Sequence, residues 1–65
     1  MLDPRLLRAF VTIADDGGFT LAAERLHMTQ STISQQLGRL EDALGHLLID
    51  RAARPVRPTA AGERL

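Results

Sequence analysis

Side chains that can hydrogen-bond to nucleic acid are concentrated in the segment 29–44, TQSTISQQLGRLEDAL. Its Gln, Ser, Thr and Arg residues supply donors and acceptors that match base edges, and a DNA major groove is wide enough to admit one helix. No acidic residue lies between His27 and Leu40, so the first turns carry no charge that would repel phosphate. The pattern therefore predicts a recognition helix whose polar face enters the major groove.

Two groups of candidate contacts follow from position along this helix. Its N-terminal turns reach the base edges, and the residues predicted to contact bases are Gln30, Ser31, Thr32, Ser34 and Gln35. Caps and flanking segments reach the sugar-phosphate backbone, and the residues predicted to contact it are Thr20, Thr29, Gln36, Arg39, Arg51, Arg54 and Arg57. The alternative for the helix is an ordinary amphipathic helix with a solvated polar face. For each arginine of the segment 51–57, a solvated hairpin stays equally open.

An apolar stripe on the opposite face would hold the recognition helix against a core. Its members recur at the helical spacing i, i+4, i+7 and i+11 and are Ile33, Leu37, Leu40 and Leu44. Thr29 is a suitable N-cap, and Gly45 is expected to end the helix. Gly38 lies inside the helix, where glycine costs about 1 kcal/mol relative to alanine. Close approach to a phosphate and simple tolerance of the glycine both remain open for this position.

Two further helices are predicted before the recognition helix. Asp3-Pro4 places a cap before a proline at the first helical position, and the Asp-Asp-Gly-Gly run at 15–18 ends that helix. Thr20 is predicted to cap a short helix over residues 21–26. Two capped helices separated by a tight turn are typical of a helix-turn-helix. Its internal contacts are expected to be Ala23, Met28 and Ile33.

Residues after the recognition helix predict a two-stranded wing. Leu47 to Ile49 are expected in the core, and Val56 to Pro58 are expected to form a return strand. This strand lies at an edge or ends at its proline, because proline cannot donate to a ladder. The connecting segment contains Arg-Pro, which is a turn signal. Asp50 is expected to orient the neighbouring Arg51 as a surface pair.

Bulk composition limits the classes of function. The chain has 65 residues, eight arginines without a lysine, eight acids and no cysteine. Zero net charge argues against nucleic acid, whereas an all-arginine set of cations favours bidentate contacts with phosphate or guanine. The apolar runs are too short for a membrane span. The sequence shows neither a signal peptide nor a known catalytic motif. Two histidines without a cysteine do not suit a zinc site. We expect a cytoplasmic protein that is not an enzyme and has no metal site.

Five spaced motifs run in order along nearly the whole chain. They are Leu7-x-x-Phe10, Gly17-Gly-Phe-Thr-Leu-Ala-Ala-Glu-Arg-Leu26, Thr29-Gln-Ser-Thr-Ile-Ser-Gln-Gln-Leu37, Leu40-Glu-Asp-Ala-Leu-Gly-His-Leu-Leu-Ile-Asp-Arg51 and Thr59-Ala-Ala-Gly62. Together they resemble the N-terminal DNA-binding domain of LysR-type bacterial transcriptional regulators. Departures from the family pattern are Gly18 for Ser, Ser31 for Pro, Gln35 for Arg, Ile49 for Phe and Pro58 for an apolar residue.

The resemblance implies a mainly α fold. Residues 1–58 would form a winged helix-turn-helix of three helices plus a short two-stranded wing, leading into a truncated linker helix at 59–65. Thr59 would cap that helix, which is too short to be stable alone.

The resemblance also implies a function. It implies sequence-specific binding to double-stranded DNA as a homodimer, allows a tetramer in the full-length protein, and implies regulation of transcription. Family members continue into a domain that senses a small-molecule inducer. The present sequence does not contain that domain, so no cofactor is expected here. The alternative is a winged-helix module that binds protein and not DNA, which the zero net charge favours.

Overall fold

Four helices and a two-stranded sheet make up the computed structural model, which describes residues 3–65. The elements, in chain order, are α1 Pro4–Asp16, α2 Phe19–Arg25, α3 Gln30–Leu44, β1 Ile49–Asp50, β2 Arg57–Pro58 and α4 Ala60–Glu63. This architecture confirms the predicted mainly α winged helix-turn-helix. The first two residues of the predicted domain lie outside the described residues, and the domain boundary between residues 58 and 59 stays a prediction.

Helix α1 begins and ends at the predicted residues. The Asp3 carboxylate accepts a hydrogen bond from the Arg5 backbone N–H at 2.9 Å, and Pro4 lies in the first turn. At the other end Gly17 is left-handed, with a φ of 73°, and its N–H donates to the Ile13 carbonyl. Glycine suits this position because it has no Cβ to oppose a positive φ. The cap therefore sets the point at which the chain turns towards α2.

Helix α2 starts two residues earlier than predicted, and Thr20 is not its cap. Gly18 is the N-cap, and no side chain of the described residues makes a capping hydrogen bond to this end. The extended backbone of Gly18 lets the chain enter the helix at Phe19. The Thr20 hydroxyl therefore lies beyond the cap position, where it accepts a hydrogen bond from Gln30 of α3. The helix ends at Arg25, one residue before the predicted end.

The turn between α2 and α3 is tight and closed by hydrogen bonds. His27 has a φ of 57°, in the left-handed region that residues other than glycine rarely adopt. The next residue, Met28, donates its backbone N–H to the Ala23 carbonyl at 2.8 Å. The Thr29 hydroxyl then accepts from the backbone N–H of Thr32 at 3.1 Å, which confirms the predicted N-cap of α3.

The apolar stripe of α3 forms the centre of the core. Ile33, Leu37 and Leu40 are fully buried, and Leu44 is partly buried against them. Burial of a side chain of this size contributes about 1.5–3 kcal/mol to stability. Because the stripe faces α1 and α2, the opposite polar face of α3 points outward. The remaining buried apolar residues are Ala9, Phe10, Ile13, Ala22, Ala23, Leu48, Ile49 and Val56.

Leu47 lies outside the core, contrary to the prediction for residues 47–49. Its side chain is 71% exposed, whereas that of Leu48 is 1% exposed. The backbone is fixed on both sides: the Leu48 N–H donates to the Glu41 carboxylate at 2.9 Å. The Leu47 carbonyl accepts from the Thr59 hydroxyl at 2.6 Å. Held in this way, the segment directs Leu48 into the core and leaves Leu47 in solvent.

The wing is a short antiparallel pair of strands. Ile49 lies opposite Pro58, and Asp50 lies opposite Arg57. The second strand begins at Arg57, one residue later than predicted, and ends at its proline, as predicted. Val56, just before this strand, is buried and donates its backbone N–H to the carbonyl of the glycine that caps α1, at 3.1 Å. The wing is therefore anchored beside the start of α2.

At the tip of the wing, the predicted pairing of Asp50 with Arg51 is wrong. Asp50 was expected to orient Arg51, but its carboxylate accepts from the Ala52 backbone N–H at 3.0 Å. An aspartate readily bonds to the backbone two residues further on, and this local turn occupies the carboxylate. The Arg51 guanidinium is directed instead towards Ser34 of α3.

The start of α4 packs onto the domain. The Thr59 hydroxyl accepts from the Gly62 backbone N–H at 3.2 Å, which confirms the predicted cap. Gly62 is buried, and a Cβ added there would collide with the Leu48 carbonyl oxygen and lie 3.2 Å from the Phe10 ring. The first turn of this helix is therefore part of the folded domain.

Candidate nucleic-acid interface

A hollow lies between the start of α2, the first turns of α3 and the tip of the wing. Of the residues predicted to contact DNA, it gathers Thr20, Gln30, Ser34, Arg51 and Arg54. None of the described residues that line it is acidic. The hollow therefore combines two predicted base contacts with three predicted backbone contacts in an electrostatically positive setting.

One pair in the hollow joins α2 to α3. The Gln30 side-chain amide donates to the Thr20 hydroxyl oxygen at 2.6 Å. One amide N–H and the amide oxygen of Gln30 stay available, and together they match the bidentate pattern that glutamine forms with adenine. The Thr20 hydroxyl, which accepts in this pair, keeps its proton for a phosphate oxygen. The pair thus links a predicted base contact to a predicted backbone contact.

A second pair joins the wing to α3. The Arg51 guanidinium donates to the Ser34 hydroxyl oxygen at 3.1 Å. Its Cζ atom also lies 4.6 Å from the centroid of the Phe19 ring. Arg54 donates to the backbone carbonyls of Arg51 and Ala53, which folds its side chain back onto the wing tip. The two arginines at the wing tip therefore lie in the hollow beside the first turns of α3.

The N-terminus of α3 is organised by two threonines. The Thr29 hydroxyl donates to the Thr32 hydroxyl oxygen at 3.0 Å while accepting from the Thr32 backbone N–H. Thr32 is therefore engaged locally in the free chain. The positive end of the helix dipole lies at this terminus and favours phosphate.

The other predicted contacts lie outside the hollow. Ser31, Gln35 and Arg39 are exposed along α3, and Arg57 is exposed on β2. Gln36 is half-buried, and its side-chain oxygen is buried without a hydrogen-bond partner among the described residues. Its amide nitrogen is consequently the group left to donate to a phosphate. The contact roles of all these residues stay predictions.

Two residues of the hollow were missed by reasoning from sequence. The sequence gives no role to Phe19, because nothing local shows that Arg51 lies over its ring. Leu21 also lines the hollow and is 56% exposed. The sequence does contain one signal for these residues: Phe19 and Leu21 are the two neighbours of Thr20, which is a predicted contact.

Two ion pairs of the described chain involve residues that do not line the hollow. Asp3 binds Arg5 at 3.0 Å, and Asp16 binds Arg25 through two contacts of 2.9 Å. The hydrogen bond from Arg5 lowers the pKa of the Asp3 carboxyl, and the Asp16 carboxylate raises the pKa of Arg25. Each pair joins one acid to one arginine, and neither arginine lines the hollow.

Other kinds of site find little support in the described chain. Across residues 3–65, no group of three or more His, Cys, Asp or Glu residues is placed to hold a metal ion. No helix in that range is long and apolar enough to cross a membrane. The hollow, with its hydroxyls, amide and guanidinium groups, has chemistry suited to an anionic polymer with hydrogen-bonding edges.

Comparison with known proteins places the chain among bacterial regulators. Residues 4–63 match the family model for bacterial regulatory helix-turn-helix proteins of the lysR family. The chain is 48% identical over 65 residues to the HTH-type transcriptional activator AllS of Klebsiella pneumoniae, covering 100% of this chain and 24% of that protein. It is 51% identical over 59 residues to the HTH-type transcriptional regulator PgrR of Escherichia coli (strain K12), covering 91% of this chain and 20% of that protein.

A solved structure gives the same picture of the fold. The crystal structure of the BenM_DBD/catB site 1 DNA complex superimposes with a TM-score of 0.91 at 38% sequence identity. The match covers 97% of this chain and 71% of that one. By contrast, the chain spans about a quarter or less of the length of the AllS and PgrR proteins.

Proposed function

Because the chain belongs to the lysR family of bacterial regulatory helix-turn-helix proteins, we propose that it binds double-stranded DNA sequence-specifically and thereby regulates transcription. Helix α3 enters the major groove, where the N-terminal positions from Gln30 to Gln35 read bases. The wing lies on the backbone or in the minor groove. Thr20, Thr29, Gln36 and the arginines at 39, 51, 54 and 57 contact the backbone.

The observation that carries this proposal is the acid-free hollow with its two cross-element pairs. Thr20 with Gln30, and Arg51 with Ser34, each bring a phosphate-binding group against a base-reading group. The polar side chains of an ordinary solvated helix face are not expected to hydrogen-bond to a cationic wing and to a neighbouring helix. A related domain, that of BenM, has been solved in complex with DNA, which supports DNA as the partner.

The proposal is tested by selecting the duplexes that the chain binds from a mixture of sequences. Duplexes with a randomised centre are selected on the immobilised chain, and the enriched duplex is compared with a shuffled duplex of the same composition by fluorescence anisotropy. We expect tighter binding of the enriched duplex and a steep loss of affinity between about 50 and 200 mM salt. Equal affinity for both duplexes would contradict sequence specificity.

Two classes of variant separate base reading from backbone contact. Gln30→Ala and Ser34→Ala should each weaken the free energy of binding to the enriched duplex by about 1–3 kcal/mol. Each should also reduce the ratio of affinities for the enriched and the shuffled duplex. Arg51→Ala should weaken binding to both duplexes and reduce the salt slope by about 1. Arg64→Ala is the matched control, since Arg64 is exposed on the far end of the chain and does not line the hollow.

The same assay separates DNA binding from the alternative, a winged-helix module that binds protein. Leu21, exposed beside the hollow, is the feature that favours this alternative. If no duplex is enriched and affinity is independent of salt, while Leu21→Ser abolishes capture of a protein partner, the hollow is a protein-docking face.

Three further properties belong to the same proposal. The chain acts as a homodimer through a linker helix that starts at α4, and a longer protein containing it can form tetramers. A small-molecule inducer acts outside residues 3–65, which need no cofactor and carry out no catalysis. The protein works in the cytoplasm, where its DNA is. Sedimentation of the chain with the enriched duplex tests the first property, because a dimer requires two chains per duplex.

A further inference from the structure

Phe19 and Arg51 connect two elements that are distant in sequence. Phe19 is half-buried at the start of α2 and packs against the core. The Cζ atom of the exposed Arg51 lies 4.6 Å from the centroid of the Phe19 ring. This is within the distance of about 6 Å at which a guanidinium is attracted to a ring face. The contact therefore ties the wing to the helix that precedes the recognition helix.

The same guanidinium extends the connection to the recognition helix. It donates to the Ser34 hydroxyl oxygen at 3.1 Å. An arginine has five N–H donors, so a bond to Ser34 leaves others for DNA. Ser34, because it accepts from Arg51, keeps its own proton to donate to an acceptor on a base edge. Phe19, Arg51 and Ser34 thus form a chain of contacts across α2, the wing and α3.

We propose that Phe19 is a positioning residue of the DNA interface, which acts through Arg51 by holding the guanidinium of the wing against Ser34. This inference rests on the proposed DNA binding. A free arginine side chain samples many rotamers and loses that freedom when it contacts DNA. The ring face removes part of this cost in advance, so its loss weakens binding although Arg51 itself is unchanged.

A purely structural role for Phe19 makes a different prediction. If the ring only fills space at the edge of the core, its replacement lowers stability and affects DNA binding equally whether or not Arg51 is present. Phe19→Leu keeps a large apolar side chain but removes the ring face. Phe19→Tyr keeps the face and is the conservative control.

The test is a double-mutant cycle on the enriched duplex, with wild type, Phe19→Leu, Arg51→Ala and the double variant. We expect Phe19→Leu to weaken binding about two- to fivefold, as an exposed cation–π contact does, and to have no further effect in the Arg51→Ala background. Phe19→Tyr should bind like wild type. An equal loss in both backgrounds, or no loss in either, would overturn the inference. Phe19→Met serves as the second variant if thermal unfolding shows that Phe19→Leu is not folded.

A measurement without DNA separates this inference from the proposed function. In the free wild-type chain, the ring current of Phe19 should shift the side-chain protons of Arg51 upfield in the NMR spectrum, and Phe19→Leu should remove the shift. If wild type lacks the shift but the enriched duplex is bound, the inference alone fails. If the shift is present but no duplex is bound, both fail. If the duplex is bound but the two variants act additively, only the inference fails.

Discussion

The Glu41 carboxylate accepts a hydrogen bond from the buried backbone N–H of Leu48 at 2.9 Å. The backbone carbonyl of Glu41 also accepts hydrogen bonds, from the backbone N–H groups of Gly45 and His46 at 2.8 and 3.2 Å. Glu41 is only 9% exposed. One residue therefore closes the C-terminus of the recognition helix and also fixes the segment that leads into the wing. Under the proposed function both elements contact DNA, so this contact helps to hold them in place relative to each other.

Removal of the Glu41 carboxylate should destabilise the domain. Glu41→Ala leaves the Leu48 N–H buried without an acceptor, which costs about 1–3 kcal/mol. Glu41→Gln keeps an oxygen at the same position and should cost less. Urea unfolding followed by circular dichroism measures both, with Asp42→Ala as the control because Asp42 is exposed on the neighbouring position. Equal stability of Glu41→Ala and wild type would show that water replaces the carboxylate.

The turn residue His27 should be replaceable by glycine with a gain in stability. Its φ of 57° carries a cost of about 1 kcal/mol for a residue with a Cβ. Glycine removes this cost, although its greater freedom in the unfolded chain offsets part of the gain. We expect His27→Gly to raise the free energy of unfolding by about 0.5 kcal/mol and His27→Ala to leave it unchanged, as measured by thermal unfolding. A similar gain in both variants would assign the effect to the imidazole and not to the backbone.

The ends of helices were predictable wherever one residue determines the cap. Asp3 precedes α1 without a competing cap residue, and the structure has it as the predicted cap. Thr29 is also the cap of α3 as predicted, although Ser31 and Thr32 follow it closely. At α2 two cap formers compete, Gly18 and Thr20. Which of them is used depends on how Phe19 packs against the core, and that packing involves segments far along the chain. Local propensity therefore could not place this helix start.

Contacts between distant segments could not be predicted for a similar reason. Helical spacing places Gln30 and Ser34 at one edge of the apolar stripe of α3, because helical periodicity is a local property. It contained no information that Thr20 and Arg51 would be the partners of these residues. Leu47 shows the same limit, since three consecutive apolar residues outside a helix do not indicate which of them faces inward.

Two glycines should respond in opposite directions to alanine. A Cβ at Gly62 would collide with the Leu48 carbonyl, which cannot move without disturbing the wing. We expect Gly62→Ala to destabilise the domain by about 1–3 kcal/mol. At Gly38 nothing lies within 4 Å of the added Cβ, so Gly38→Ala should gain about 1 kcal/mol in helix propensity. Chemical denaturation of both variants gives the comparison.

The Gly38→Ala variant also separates the two explanations left open for this position. If the glycine is only tolerated, the variant should bind the enriched duplex like wild type. A loss of affinity in a more stable protein would instead indicate that a phosphate approaches the helix at Gly38. Ala43→Gly provides a matched control for helix propensity, because Ala43 is exposed on the same helix.

The hydroxyl of Thr20 should contribute to both affinity and base preference. It accepts from the Gln30 amide at 2.6 Å and keeps a proton for a phosphate. Thr20→Val preserves shape but removes both interactions, so we expect about a tenfold weaker affinity, on the order of 1.4 kcal/mol. It should also reduce the preference for the enriched over the shuffled duplex, since the Gln30 amide is no longer oriented. Thr20→Ser keeps the hydroxyl and should retain most of the affinity and most of the preference for the enriched duplex. If Thr20→Val weakens binding to the two duplexes equally, the threonine contacts phosphate but does not orient Gln30.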